Sequence, residues 1–328
     1  MTRYILQRLL QMIPVLLGVI ILAFVLNEVA PGDPAVLLAG GESATPEAVA
    51  KIREELKLDD PFIVRFADYF KKMVTEGNIG TSYKTRQPVA VEVAHRFPQT
   101  FKMAAISAIF ASIIGITLGV LSAIKQYTFL DNLISMFSLV GVSMPVFWSS
   151  LLGILFFSIH LRLLPSSGFY TWQHWLLPCF VIGTSMAASV VRMTRSSMLE
   201  VIRQDYIRTA RAKGQSERVV IFKHALKNAM IPVVTNIGMH FGVLLGGAVI
   251  IETVFVIPGI GKYITDAIRN RDYPVVQGSV LVLALVTCCV NLGVDLLYAM
   301  IDPRIKSQYR GMAKFKKKKR GLTEGGIR

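Results

Sequence analysis

Charged residues are scarce in this sequence: 17% of its 328 residues are Asp, Glu, Lys or Arg, where a soluble domain carries about a quarter. That balance leans away from a water-soluble fold and toward lipid. Acidic residues are scarcer than basic ones, 21 against 36, which leaves a formal charge of +15. Cysteine is nearly absent. Cys179, Cys288 and Cys289 all sit in apolar stretches, sequence neighbours rarely bridge each other, and none shows metal-ligand spacing. They read as inert lipid or core residues. His95, His160, His174, His224 and His240 are scattered, and no nucleophile, base and orienting acid form a set, which disfavours an enzyme. A small-x-small cleavage site is also missing between the apolar run after Arg8 and Pro31-Gly32-Asp33-Pro34. The N-terminus therefore reads as an uncleaved first span rather than a signal peptide.

What the chain has in quantity is apolar length. Hydrophobic residues make up 53% of it and its mean hydropathy is +0.51. Six stretches can cross about 30 Å of hydrocarbon: roughly Ile5–Val29, Thr100–Ile124, Leu133–Ile159, Trp175–Val191, Ile231–Ile251 and Val275–Met300. The first favours insertion by several kcal/mol, on the order of 0.3–0.6 kcal/mol per large aliphatic residue, despite Pro14 and Gly18. The fourth is short and the weakest. Most of the positive charge falls in two blocks, Arg192–Lys227 and Arg304–Arg328. Beside apolar segments such blocks mark cytoplasmic loops facing anionic lipid and a partner, not nucleic acid. The positive-inside rule then puts both termini and the 192–230 loop in the cytoplasm. The resulting expectation is an all-α membrane protein with six transmembrane helices.

Between the first two spans, Thr45-Pro46-Glu47 reads as a helix start, with a hydroxyl cap and proline at the first position. A break at Asp59-Asp60-Pro61 precedes an amphipathic stretch with Phe62, Phe66, Tyr69, Phe70 and Met73. Two short helices on the outer membrane surface are one reading and a landing surface for an extracytoplasmic partner is another; the two are compatible. Small residues recur every fourth position at Ser107, Ala111, Gly115, Gly119 and Ala123, and again at Gly238, Gly242 and Gly246. In lipid, helices associate through such close approach. Static packing fits the first stripe. For the second, a sliding interface along a translocation path competes with packing. In the basic loop, helix-tolerant residues run from Ser197 to Gly214, a glycine suited to a left-handed cap. A second helical stretch, Glu217–Ala229, follows. This helix–glycine–helix element is either a lever moved by a soluble partner or an amphipathic surface helix.

The segment Asp205-Tyr206-Ile207-Arg208-Thr209-Ala210-Arg211-Ala212-Lys213-Gly214, with His224-Ala225-Leu226-Lys227-Asn228-Ala229, resembles the ATPase-docking loop of bacterial ABC importer permeases. The match is to the dipeptide, oligopeptide and nickel branch. Other family-like motifs follow in order: Pro31-Gly32-Asp33-Pro34, Leu56-Lys57-Leu58-Asp59, Gly77-Asn78-Ile79-Gly80-Thr81-Ser82, Glu252-Thr253-Val254-Phe255, Ile257-Pro258-Gly259-Ile260-Gly261, Arg271-Asp272-Tyr273-Pro274, Asp295-Leu296-Leu297-Tyr298 and Asp302-Pro303-Arg304. The resemblance covers 1–306 and implies a first span (1–30), an extracytoplasmic loop (31–99), and a five-helix core (100–306) holding the docking loop 192–230. A basic cytoplasmic tail (307–328) lies beyond it.

The resemblance further implies a second, different permease, two cytoplasmic ABC ATPases and an extracytoplasmic substrate-binding protein as partners, in a bacterial inner membrane. Docking is expected of Asp205, Tyr206, Arg208, Thr209, Ala210, Arg211, Ala212, Lys213 and Gly214. Arg208 stands where the wider family's motif has glutamate. No cofactor is expected in this chain, ATP and magnesium being held by the ATPases. Gly259-Ile260-Gly261-Lys262 is not a phosphate loop, because Val256 and Tyr263 break the pattern. Polar residues in spans are functional suspects, which nominates Asn236, Met239, His240, Gly242 and Asn291 for the path. Asp295 suits an ion pair with a nearby arginine. The function implied is peptide import. Nickel or another small solute is the alternative within the class, and an ion-coupled carrier the alternative outside it.

Overall fold

The computed structural model describes residues 2–29 and 32–301. Pro31, the Asp302-Pro303-Arg304 motif and the lysine-rich tail fall outside the described residues. Fourteen α-helices are described: α1 (Thr2–Val29), α2 (Pro34–Leu38), α3 (Pro46–Glu55), α4 (Phe62–Glu76), α5 (Val89–Ile124), α6 (Phe129–Ser143), α7 (Val146–Gly153), α8 (Gln173–Ile202), α9 (Asp205–Ala212), α10 (Glu217–Val219), α11 (Leu226–Gly247), α12 (Val249–Val254), α13 (Ile260–Arg269) and α14 (Tyr273–Ile301). Two π-helical stretches, Ile154–His160 and Val220–Ala225, extend α7 and lead into α11. Among the described residues the only β pairing is an isolated bridge between Thr81 and Pro88.

Five helices are long and apolar enough to cross a membrane, and a sixth crossing forms if the pair Phe129–Ser143 and Val146–His160 is taken as one. That pair is bent by 104°, so the expected span Leu133–Ile159 is not one continuous helix. Pro145 causes the break. It lacks an N–H, and it forces the residue before it, Met144, into extended backbone (φ −74°, ψ 126°).

The expected short fourth span is instead the 30-residue α8. Its apolar window is 61% buried, more than that of any other span. Because α8 runs through the middle of the protein, it needs little hydropathy of its own, and Thr194 and Ser197 are buried against neighbouring helices rather than exposed to lipid. The α5 stripe makes this possible. A methyl at Gly115 would meet Val190 at 2.6 Å, and one at Gly119 would meet Thr194 at 2.5 Å. The stripe packs against α8 within the chain.

The second stripe also packs within the chain. Gly238, Gly242 and Gly246 of α11 face Val294, Asn291 and Thr287 of α14. α1 lies at the edge against α14, with Leu22 and Val29 exposed. Phe24 of α1 meets Phe62 and Phe66 of α4 edge-on, at 5.2 and 5.4 Å. α3 starts as the sequence predicts: the Thr45 hydroxyl accepts from the Ala48 N–H at 3.3 Å.

Candidate functional site

The run Ser197–Gly214 is not one helix. α8 ends at Ile202, Gln204 is extended, and α9 restarts at Asp205. Apart from Tyr206, Ile207 and two alanines α9 is polar, and Ile207 decides how it sits. It is fully buried in a cluster with Val120 and Ala123 of α5, Met198 of α8, and Val220, Ile221 and Ala225 of the following turn. Ala210, one turn on, packs on the same cluster. The remaining candidates, Asp205, Tyr206, Arg208, Thr209, Arg211, Ala212, Lys213 and Gly214, are exposed. Sequence reasoning missed Ile207. It could have been found as the lone aliphatic residue three positions before Ala210.

The turn after α9 is held from two sides. Arg211 Nε donates to Glu217 Oε1 at 2.7 Å, and the Gln215 and His224 side chains meet at 2.8 Å. Gly214 has φ +75°, the left-handed cap that the sequence predicts, with nothing within 4 Å of an added Cβ. Glycine is needed there for backbone conformation, not for space.

At the opposite end of the bundle, motifs far apart in sequence converge. The Asp272 carboxylate, nearly fully buried, accepts from the Ser82 hydroxyl at 2.5 Å and from the Tyr83 N–H at 2.9 Å. Tyr273 Oη donates to Gly32 O at 3.3 Å, and the Arg271 guanidinium occupies the space a side chain at Gly32 would need. Arg53 bridges Asp33 and Asp59; its hydrogen bond holds the Asp59 carboxyl below its ordinary pKa. A cavity of about 480 Å³ opens between these segments, lined among others by Asn27, Glu28, Arg65, Tyr83 and Gln277.

Close by, Glu252 is fully buried. It accepts from the Thr100 hydroxyl at 2.6 Å and the Lys262 N–H at 2.9 Å, while Thr100 accepts from the Ile260 N–H at 3.0 Å. The glycines of Gly259-Ile260-Gly261 make room for this carboxylate, which lies 2.1 and 2.9 Å from where their Cβ atoms would be. The loop that superficially suggests a phosphate cradle thus holds the protein's own carboxyl group.

The proposed path residues separate into two groups. His240 Nε2 meets Ser189 Oγ of α8 at 2.9 Å, Asn236 is buried, and Gly242 packs on α14. These three face the chain's own helices. Met239 and Asn291 are exposed. Asp295 pairs with Arg8 at 3.2 Å, as its position suggested.

Residues 115–307 match the family described as binding-protein-dependent transport system inner membrane component, and residues 1–104 match its N-terminal region. The chain belongs to this family. This transport-system component is 44% identical to the dipeptide transport system permease protein DppB of Alkalihalophilus pseudofirmus, covering 93% of this chain and 100% of that one. It is 44% identical to the glutathione transport system permease protein GsiC of Salmonella typhimurium, covering 93% and 99%. It is 42% identical to DppB of Escherichia coli K12 over the same shares. Among solved structures, an inward-facing MetNI methionine ABC transporter chain superposes with a TM-score of 0.52 at 18% identity, covering 64% of this chain and 96% of that one. That likeness concerns the fold. The permease is accordingly an all-α, multi-pass inner-membrane protein.

Proposed function

We propose that this permease is one transmembrane subunit of an ATP-driven importer for short peptides, paired with a different second permease. An extracytoplasmic binding protein delivers the peptide, and two cytoplasmic ATPases hold ATP and magnesium. The chain itself carries no cofactor and no hydrolytic site. Both termini and α9 face the cytoplasm. Peptide cargo rests on the relatives named for dipeptide and glutathione transport.

The observation that carries the reading is α9: a two-turn helix fixed to the bundle by one fully buried side chain, Ile207, with half-buried Ala210 beside it, and exposed at its other positions. Small Thr209 and Ala212 permit close approach to an ATPase groove. Arg208 and Lys213 meet acidic groups there, giving register and encounter rate more than affinity. When ATP draws the two ATPases together, α9 is carried along. Ile207 passes that motion into α5, α8 and the turn before α11, and the path alternates between outward and inward access. Met239 and Asn291, on exposed faces, line the path; Asn236, His240 and Gly242 support the helices behind them.

The test is to purify the chain with its second permease and ATPases, add the binding protein, and measure ATP hydrolysis with a panel of di-, tri- and oligopeptides and with nickel. Stimulation by a peptide class supports the reading. Stimulation by nickel alone overturns the peptide assignment, and absence of any partner ATPase overturns the importer.

A further inference from the structure

A further buried carboxylate, at the same end as α9, is held by groups from several elements. Asp131 opens α6 and its side chain is 2% exposed. Arg195 of α8 grips it with both arms, Nε to Oδ1 and Nη2 to Oδ2, each at 2.8 Å. The Ser122 hydroxyl of α5 donates to Oδ1, and the Tyr127 N–H of the α5–α6 turn donates to Oδ2 at 2.9 Å. Tyr127 holds φ +64°, a left-handed conformation unusual for a side chain of its size. One carboxylate therefore joins the end of α5, the turn, the start of α6 and α8.

Arg195 stands two turns before Ile202, where α8 gives way to α9. Toward the middle of the bundle from it, Gly119 brings α5 against Val191 and Thr194. Toward α9, Met198 and Ile207 share one cluster with Val120 and Ala123. The Asp131–Arg195 pair sits between these two contacts, where a pull on α9 would otherwise separate α8 from the α5–α6 hairpin. A bidentate arginine–carboxylate pair fixes orientation as well as distance. Among the described residues α11 has no comparable ionic tie to α8, and His240 of α11 meets Ser189 of α8 through a neutral hydrogen bond.

The geometry points to Asp131 and Arg195 as positioning residues for coupling: they lock α5, α6 and α8 into one rigid body, so that displacement of α9 moves the α5–α6 hairpin rather than bending α8. This inference rests on the import reading above. It assigns the moving unit within this chain.

The test uses the complete assembly in proteoliposomes, measuring peptide uptake and ATP hydrolysis together. Arg195→Gln removes the charge and Arg195→Lys keeps it without the two-armed grip. For Arg195→Gln, uptake per ATP is expected to fall roughly ten-fold while hydrolysis stays within about two-fold, with Arg195→Lys between it and the unaltered chain. Unchanged uptake per ATP, or uptake and hydrolysis falling in parallel, overturns the lock.

If Arg195→Gln does not assemble, spin labels on the unaltered lock decide. They are placed at Phe129→Cys on α6 and Arg203→Cys after α8, in a chain lacking Cys179, Cys288 and Cys289. Their separation is expected to stay constant with and without ATP, and a change on the order of one helical turn, about 5 Å, overturns the proposal. An unaltered assembly that imports nothing overturns the functional reading instead.

Discussion

At Gly119 a methyl group would lie 2.5 Å from the Thr194 side chain and 2.8 Å from the Val191 carbonyl. The carbonyl belongs to a buried helix and cannot step aside. At Gly18 the same methyl would meet nothing within 4 Å. Gly119→Ala is therefore expected to cost about 1–3 kcal/mol by overpacking and to lower the midpoint of thermal unfolding in detergent, while Gly18→Ala leaves it unchanged. Equal midpoints would mean that α5 and α8 are not in close contact. The every-fourth-residue spacing pointed to this packing in the sequence. Which helix received the stripe was not legible, because α8 contributes β-branched Val190 and Thr194 rather than a small-residue stripe of its own. Glu252 was hidden for a related reason. Its partners Thr100 and Lys262 belong to other elements, and nothing in the spacing of Gly259-Ile260-Gly261 says that a carboxyl group already fills the loop.

In the proposed importer, coupling is assigned to α9 and its surroundings. Ile207 is its one fully buried side chain, so Ile207→Ala opens a cavity worth about 2–5 kcal/mol at the joint between α9 and the bundle. In the assembled importer this is expected to leave the exposed face of α9 able to hold the ATPase while lowering peptide uptake per ATP. Ala212→Arg, on the exposed face, is expected to do the reverse and prevent the ATPase from co-purifying. Co-purification with Ala212→Arg intact, or lost with Ile207→Ala alone, would assign the two faces wrongly. Composition and charge made most elements legible: four of the six expected spans, the Thr45 cap and the left-handed Gly214 stand close to where the sequence put them. Two were not. Pro145 was read through as part of a continuous span, although the break is local and follows from proline chemistry. α8 was read as short because its hydropathy is low, and that low value reflects burial within protein, which a single sequence does not display.

At the scale of the molecule, the two ends of the bundle are built differently. The end bearing residues 32–99 is cross-braced by Asp272, Glu252 and Arg271, each linking segments distant in sequence, with Arg53 tying Asp33 to Asp59 locally. The other end presents one exposed helix on one buried anchor, with the Asp131–Arg195 pair behind it. A braced frame at one end and a single handle at the other suit a subunit driven from outside itself. The most direct measurement of that claim places a photo-reactive amino acid at Ala212 and irradiates cells expressing the permease with its second permease, ATPases and binding protein. The account predicts one adduct, between this chain and an ATPase subunit. An adduct with the extracytoplasmic binding protein, or none with the ATPase in an assembly that imports peptide, would contradict it.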